Sequence, residues 1–492
     1  MTRVQITHRL LFLALSVKWT SCNPPASDRI LVFPMNRADQ THESSEPSEP
    51  APSERSLRRA LARRFPGARR AYNRIVSRVR WVWGGFRKTP TTIVWAWEML
   101  TTLRRYRRDS RLTVAVDIAS FWEPLTGIGW YLYRLLESLA KSSDVRLLLF
   151  SPSIVESPDL KEPTVCPPEG PALEIVRYEI SPDRVLLAGS VTRLLRRLEP
   201  LLIATHGCDV LFAPNYFLPR RFSLSRGALV ATIHDLGFRT VPWTLREETL
   251  SELSGRLERT LAKAARLITV SGAVREELLR DGYERADHVH VVHHGPGQLS
   301  AVEAGQLPPG LSGKYALHVG TLEPRKNIET LLSCWQQVRQ RLEDPPLLVL
   351  CGKYGWKTES IRSQVEAAEQ AGWARHLGYV GEQELASLYE HAQLVLFPSL
   401  YEGFGLPAVE AQWAGTPLVC SDLPVLREVA GEGAMFAPPD RPDLMAEAVV
   451  RVLVEDALRA DLIQLGKQRI AELSWSRAAA ETLAVWHLAI ED

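Results

Sequence analysis

Between residue 111 and the end of the chain, hydrophobic positions follow two alternating patterns. Short runs rich in Val, Ile and Leu, typical of buried parallel strands, are separated by longer stretches whose apolar residues recur at helical spacing. The predicted strands are LTVAVDI (112–118), VRLLLF (145–150), DVLFAP (209–214), LVATIHD (229–235), RLITVS (266–271), HVHVVH (288–293), YALHVG (315–320), LLVLCG (347–352), HLGYVG (376–381), LVLFPS (394–399) and PLVCSD (417–422). A segment rich in proline, glycine and serine at 296–313 divides them. The alternation therefore predicts βαβ units and two parallel sheets.

A chain of 492 residues is too long for one hydrophobic core and suits two domains with additional segments. We assign the first doubly wound domain to 112–297, the second to 313–475 and a last helix to 476–492. Open parallel sheets bind ligands beyond the carboxyl ends of their strands. Two such α/β domains in tandem therefore favour a ligand cleft between those ends.

The first part of the chain lacks this alternation. Residues 1–54 contain a short apolar run at 10–17 without a convincing cleavage site, followed by an acidic, proline-bearing stretch that cannot bury enough surface to fold. We expect residues 1–54 to be disordered or poorly folded, with 37–54 as a disordered spacer. Residues 55–111 hold sixteen Arg and one Lys against two acidic residues, a charge of +15 that leaves −13 for the remainder of a chain whose total is +2. This asymmetry predicts a basic arm that contacts an anionic partner.

Within 55–111, apolar positions from Ala68 to Phe86 recur at helical spacing while arginines line another face. The stretch 93–100 carries Trp95 and Trp97 and is followed by RRYRR. Tryptophan beside arginine suits a lipid headgroup interface, so we expect this basic amphipathic arm to bind an anionic membrane surface. A solvated arm or a helix packed on the body is the alternative. Specific nucleic-acid binding is not expected, because no sequence-reading motif accompanies the arginines.

Two adjacent cations follow the first strand of the second domain. YALHVG continues through Gly320 into TLEPRKNIETLL, so Arg325 and Lys326 stand just before a helix that is expected to begin at Asn327. Two cations beside free helix amides suit a diphosphate. Solvated basic residues are the alternative interpretation.

The stretch PSLYEGFGLPAVEAQWAGTP carries two glutamates eight positions apart. Glu402 lies in a turn in which Gly403 and Gly405 let the backbone approach a ligand, and Pro407 suits the first position of the following helix. Glu410, one turn into that helix, can accept hydrogen bonds from a ribose diol, and Glu402 can reach sugar hydroxyls. For Glu410 alone, a partner for the helix dipole is the alternative.

Two first-domain motifs also lie at or beyond the carboxyl ends of predicted strands. TGIGWYLYRLL puts Gly127 and Gly129 between a strand and a helix, and TIHDLGF puts His234 at the carboxyl end of a strand, facing the predicted cleft. A tight turn and a structural histidine are the respective alternatives.

Taken in order, these motifs resemble the retaining glycosyltransferases of the GT-B type, specifically the large family 4 that includes many bacterial mannosyltransferases. The likeness rests on EGFGLPAVE, HVGTLEPRKN, ITVSGAVREEL and VVHHGPG and covers about residues 112–485. It implies a GT-B fold, with two Rossmann-like doubly wound domains facing a cleft, to which the basic helical N-terminal extension is added.

The resemblance also implies roles for individual residues. Glu410 would bind the nucleotide's ribose, Glu402 the donor sugar, and Lys326 and Arg325 the leaving diphosphate. His234 would contact donor or acceptor. The implied donor-binding set is Gly127, Gly129, Gly320, Gly403, Phe404, Gly405, Leu406 and Glu410. Many members have arginine directly after the glycine of the first strand; Thr321 stands there in this chain, which favours Arg325 as the second cation.

No metal or cofactor is expected. The six cysteines are scattered without a CxxC pair or ligand-spaced histidines, which favours a reducing compartment, and no Asp-x-Asp motif follows a strand. No carboxylate stands out as a nucleophile, so the resemblance implies front-face retention with phosphate assisting deprotonation of the acceptor.

The resemblance implies a nucleoside-diphosphate sugar as donor, and GTLEPRKN looks most like mannosyltransferases that use GDP-mannose. The implied acceptor is a glycan or a lipid-linked molecule of cell-surface polysaccharide synthesis. The expected location is cytoplasmic, peripheral on the inner face of the plasma membrane. Another sugar-nucleotide enzyme, such as an epimerase, and a noncatalytic membrane adaptor are the alternatives.

Overall fold

The computed structural model of the chain describes residues 16–18, 110–122, 127–150, 165–179, 203–204, 207–219, 222–245, 247–297, 299, 302–311 and 314–491. The segment predicted to be disordered and the basic arm lie outside them, apart from residues 16–18 and 110–111. The second predicted domain and most of the first belong to one compact unit made of Arg111–Ile175, Asp209–Pro219 and Gly227–Asp492.

The described strands fall mostly within the predicted runs. They are β1 (Ser16–Lys18), β2 (Leu112–Asp117), β3 (Val145–Phe150), β4 (Leu173–Glu179), β5 (Val210–Ala213), β6 (Ala228–Ile233), β7 (Arg266–Thr269), β8 (Val289–Val291), β9 (Tyr315–Val319), β10 (Leu347–Cys351), β11 (Ala374–Gly378), β12 (Leu394–Phe397), β13 (Leu418–Ser421) and β14 (Met435–Ala437). Strands β1, β4 and β14 were not predicted.

The described helices lie between the strands or after β14 and are four to seventeen residues long. The described α-helices are α1 (Gly127–Leu139), α2 (Gly237–Thr240), α3 (Glu247–Leu261), α4 (Gly272–Arg280), α5 (Ile328–Arg341), α6 (Glu359–Gln370), α7 (Glu382–His391), α8 (Leu406–Ala414), α9 (Pro424–Ala430), α10 (Pro442–Val454), α11 (Asp456–Ala471) and α12 (Trp475–Glu491). None of the described helices is both long enough and apolar enough to span a membrane.

The first sheet has the parallel order β3-β2-β5-β6-β7-β8. Its central strands are buried on both faces, which explains their continuous runs of apolar residues. The last residues of β4 pair antiparallel with β1. The topology of these parallel strands is Rossmann-like, as predicted.

The second sheet has the order β11-β10-β9-β12-β13-β14, and all of its pairs are parallel. Strand β11 begins two residues before the predicted run HLGYVG (376–381), because Ala374 and Arg375 already pair with β10, and it ends earlier, at the left-handed Gly378. The prediction of a GT-B architecture with two such sheets is confirmed.

Helix α12 belongs to the core of the first sheet, although it follows the second domain in sequence. It packs on α1 and on strands β5, β6 and β7. The indole of Trp486 is fully buried and meets the ring of Phe212 with centroids 5.2 Å apart. Trp475, at the start of the helix, donates from Nε1 to the carbonyl oxygen of Pro296 at 2.6 Å. The chain therefore passes between the domains twice, once after Pro296 and once before Trp475, and these two residues are in contact.

Candidate active site

A buried cluster of two cations and two carboxylates lies where β9 and β12 end. Lys326 Nζ is 2.5 Å from Glu402 Oε1, and both side chains are less than a tenth exposed. Arg325 reaches Glu402 Oε2 with Nη1 at 3.3 Å and Glu323 Oε1 with Nη2 at 2.9 Å. The four charges therefore neutralise one another.

The backbone that presents the cations differs from the prediction. Pro324–Lys326 forms a 3₁₀ turn, Asn327 adopts a left-handed conformation with φ of 58°, and α5 begins one residue later than predicted, at Ile328. The Asn327 amide donates to the carbonyl oxygens of Pro398 and Pro439 at 3.0 and 2.7 Å, which fixes the turn against neighbouring loops. The cations thus stand on a turn before the helix.

Protonation in this cluster follows from burial and charge. Burial raises the pKa of Glu402, but the attraction of Lys326 and Arg325 outweighs it and holds that pKa below its usual value. Burial keeps the pKa of Glu323 above its usual value although Arg325 is close. Beneath the cluster, burial lowers the pKa of His318 to about 4, so the imidazole is neutral at pH 7. Within the described ranges, no group of three or more His, Cys, Asp or Glu could hold a metal ion.

Glu410 lies on α8, as predicted, and is 5% exposed. Its Oε2 accepts a hydrogen bond from the buried hydroxyl of Tyr389 at 2.9 Å. Gly405 precedes the helix in a left-handed conformation, with φ of 95°, and Pro407 takes the second helical position because the helix begins at Leu406. The tyrosine orients one carboxylate oxygen, and the glycine allows the abrupt entry into the helix.

The first-domain candidates meet the loop that carries Glu402. His234 donates from Nε2 to the carbonyl oxygen of Pro214 at 2.8 Å, and burial lowers the pKa of its imidazole. A Cβ atom at Gly403 would overlap the carbonyl oxygen of His234, so only glycine permits this approach. Gly127 faces Leu406, since a Cβ there would lie 3.9 Å from Leu406 Cδ1. The two sheets therefore meet at the carboxyl ends of their strands.

The glycines of TGIGW differ from the expectation that they precede a helix. Gly127 and Gly129 form the first turn of α1, and Gly129 is buried within it. Neither has a positive φ, so no left-handed turn is needed there. Gly320 lies directly after β9, where an added Cβ would lie 3.5 Å from Lys326 Cε.

Phe404 packs between the domains. Its ring centroid lies 4.6 Å from that of His294 and 6.2 Å from that of His293, both in the loop after β8. His294 also contacts the rings of Tyr131 and Trp475. Burial lowers the pKa of His294 well below its usual value, so a neutral imidazole contributes to this aromatic contact.

Several residues at this meeting of the domains were not singled out from the sequence. They are Ser271, Glu277, Glu323, Tyr389, Tyr401 and Glu428. Adjacency to the proposed cations and to Glu402 could have indicated Glu323 and Tyr401. Ser271 and Glu277 lie in ITVSGAVREEL, one of the stretches that carry the family resemblance, so that motif could have indicated them. Tyr389 and Glu428 are brought to the site by tertiary packing and carry no local signal.

Comparison with known proteins agrees with this architecture. Residues 304–469 match the model of the glycosyl transferases group 1, and residues 125–295 match that of glycosyltransferase family 4. The O-antigen chain mannosyltransferase B of Escherichia coli is 30% identical over 384 residues, which cover 74% of this chain and 97% of that protein. A phosphatidyl-myo-inositol mannosyltransferase of Mycolicibacterium smegmatis is 29% identical, covering 66% of this chain and 85% of its own.

Among solved structures, the sucrose-phosphate synthase of Thermosynechococcus elongatus superimposes with a TM-score of 0.60 at 22% identity, covering 77% of this chain and 98% of that one. This likeness supports the fold. Together with the paired family models and the coverage of the E. coli relative, it leads to one conclusion. The chain belongs to the group 1 and family 4 glycosyltransferases and is a glycosyltransferase of GT-B fold.

Proposed function

We propose that this glycosyltransferase moves a hexose, mannose first among the candidates, from a nucleoside-diphosphate sugar to a glycan or lipid-linked acceptor, with retention of the donor's configuration. The observation that carries the proposal is the buried cluster of Lys326, Arg325 and Glu402 beside the loop that leads to Glu410. The choice of mannose rests on the mannosyltransferase names of the relatives.

The donor's diphosphate would bind at Lys326 and Arg325. These cations are now neutralised by Glu402 and Glu323, so an arriving diphosphate competes with Glu402 for the same N–H donors. A displaced Glu402 carboxylate would turn to hydroxyls of the sugar, while Glu410, oriented by Tyr389, would accept from the ribose. GDP is the first nucleotide to test.

Two fixed cations stabilise a leaving diphosphate by electrostatics, which is the largest contribution in many group transfers. In the proposed front-face reaction the bond from the anomeric carbon to the phosphate oxygen breaks, and the acceptor oxygen bonds to that carbon on the same face. The acceptor's proton passes to the departing phosphate. No carboxylate of the cluster is assigned as a nucleophile, because the displaced Glu402 would bind hydroxyls of the sugar and Glu323 pairs with Arg325. His234, whose Nε2 donates to Pro214, would present Nδ1 to donor or acceptor.

The acceptor is proposed to be a cell-surface glycan or its lipid-linked precursor, made at the cytoplasmic face of the membrane. The basic arm, residues 55–111, would bring the enzyme to anionic headgroups. The relatives support this class of acceptor, because one is named for the O-antigen chain and another for phosphatidyl-myo-inositol.

Nucleotide binding tests the site directly. GDP, UDP and ADP are titrated calorimetrically into the wild type, Lys326→Ala and Glu410→Ala. Loss of a charged hydrogen bond should weaken binding about ten- to a hundredfold. Lys314→Ala, an exposed lysine of the same domain, should bind like the wild type. Unchanged dissociation constants in both site variants would refute the assignment.

A second experiment tests the reaction. With the sugar form of the nucleotide that binds, turnover should require an acceptor, persist in excess EDTA, and give an α-linked product from an α-linked donor, as read by NMR. A β-linked product would exclude retention. Loss of turnover with EDTA would show that a metal takes part, and conversion of the donor without acceptor would indicate an epimerase.

A further inference from the structure

Helix α4 of the first domain contacts the turn that carries Glu402. Ser271, the N-cap of α4, accepts from the amide of Val274 at 3.2 Å and donates from Oγ to the carbonyl oxygen of Gly403 at 2.8 Å. Ser271 is fully buried. One hydroxyl therefore both begins a helix in the first domain and holds a backbone oxygen in the second.

The residue on the other side of Glu402 is held by the same helix. The Tyr401 hydroxyl donates to Glu277 Oε2 at 2.7 Å and accepts from the amide of Leu236 at 2.8 Å. The ring lies over Gly237, where a Cβ would come 3.0 Å from Tyr401 Cδ1. The first domain thus holds the residues immediately before and after Glu402.

The amino end of α4 has a third contact with the second domain. Glu428 on α9 accepts from the amides of Gly272 and Ala273 at 2.6 and 2.9 Å, and from His293 Nε2 at 2.6 Å. These hydrogen bonds hold the pKa of Glu428 below its usual value in spite of burial. A carboxylate at a helix N-terminus also gains from the helix dipole. Glu428 therefore fastens α4 to the second domain at a site separate from the turn.

Within its own domain the turn depends on Arg325. The amide of Leu400 donates to the carbonyl oxygen of Arg325 at 2.9 Å, and Arg325 Nη1 donates to the carbonyl oxygen of Tyr401 at 3.2 Å. In the proposed function this guanidinium turns to the diphosphate, so its side-chain bond to Tyr401 competes with the substrate. The contacts from α4 are then needed to keep the turn in place.

We propose that Ser271, Glu277, Tyr401 and Glu428 are positioning residues of the transfer reaction: α4 sets the turn 401–403, and through it Glu402, when the two domains close. The inference rests on the proposed function of Glu402. None of the four needs to touch the substrate. In an open form, water would satisfy each of these polar groups, so the turn is ordered by closure and not by nucleotide alone.

The test uses the full chain with three conservative variants, Tyr401→Phe, Glu277→Gln and Glu428→Gln. Exposed glutamates next to these positions, Glu276→Gln and Glu432→Gln, are the matched controls. Each site variant should lower kcat roughly tenfold or more, which corresponds to one or two lost hydrogen bonds. The Kd for the nucleoside diphosphate should stay within about threefold of the wild type, because the second domain supplies those contacts.

A double variant separates positioning from general damage. Tyr401→Phe combined with Glu277→Gln should be no slower than Tyr401→Phe alone, since the two share one hydrogen bond. Unchanged kcat in the three single variants, or a loss of kcat matched by equal losses of nucleotide affinity and thermal stability, would overturn the inference. If the wild type neither binds nucleotide nor transfers sugar, the proposed function fails instead.

Discussion

Replacing Glu402 by glutamine would remove one of the two carboxylates that neutralise Lys326 and Arg325, with almost no change of shape. Lys326 Nζ lies 2.5 Å from Glu402 Oε1, and both side chains are less than a tenth exposed. Removing one member of a buried ion pair costs about 3 to 5 kcal/mol, because the other charge stays buried without its partner. Glu323 still faces Arg325, so we expect a loss near the lower end, about 3 kcal/mol in the free energy of unfolding.

The same substitution should strengthen the binding of nucleoside diphosphate. In the wild type the ligand must displace the Glu402 carboxylate from two cations, whereas glutamine leaves them with a net positive charge. We expect the Kd for GDP, or for whichever diphosphate binds, to fall roughly tenfold, or 1.4 kcal/mol. Sugar transfer should fall at the same time, because the donor loses its carboxylate contact.

Urea unfolding with and without the nucleotide, together with calorimetric titration, measures both effects. Glu366→Gln, which changes an exposed glutamate on α6, is the control. The reasoning is refuted if Glu402→Gln binds the diphosphate no more tightly than the wild type. A loss of stability no larger than that of the control would likewise show that the ion pair is not buried as described.

Three further outcomes are expected. Gly403→Ala should abolish transfer in steady-state assays because its Cβ would overlap the His234 carbonyl oxygen, whereas Gly381→Ala, which faces open space, should keep wild-type rates. Burial lowers the pKa of His318 from 6.5 to about 4 in the folded protein. Its contribution to the free energy of unfolding is therefore fully present above pH 6.5 and is lost as the pH falls through 4. His318→Asn should flatten the pH dependence of urea unfolding over that interval, and an unchanged slope would contradict this. A chain lacking residues 1–111 should stay soluble and bind nucleotide but no longer cosediment with anionic vesicles. If it cosediments as much as the full chain, the basic arm is not the membrane-binding segment.

Much of the fold could be predicted because parallel strands buried on both faces need continuous apolar runs. Runs such as VRLLLF at 145–150 coincide with a strand. Strand β14 was missed because MFA is only three residues long and carries no period. Strand β4, LEIVRYE, was missed because charged residues interrupt it and it lacks the continuous apolar run of the central strands.

The candidate site was predictable only where its residues are close in sequence. Arg325 and Lys326 are neighbours, and Glu402 and Glu410 share one short stretch, so local patterns brought them forward. Their pairing across the sheet was not predictable, since Lys326 and Glu402 are 76 positions apart. The contacts from the first domain were harder to predict, because Ser271 contacts Gly403 only when the two sheets pack together.

Helix α12 has a consequence for how the protein folds during its synthesis. Its residues complete the core of the first sheet, yet they are synthesised after the whole second domain. The strands of the first domain leave the ribosome before Trp486 has been synthesised. The core contact between Trp486 and Phe212 therefore cannot form as soon as those strands emerge, unlike in domains that fold as units from the amino end of the chain. Before α12 packs on β5, β6 and β7, the apolar surface of these strands that it covers is exposed. The core of the first sheet can therefore be completed only after the second domain has been synthesised.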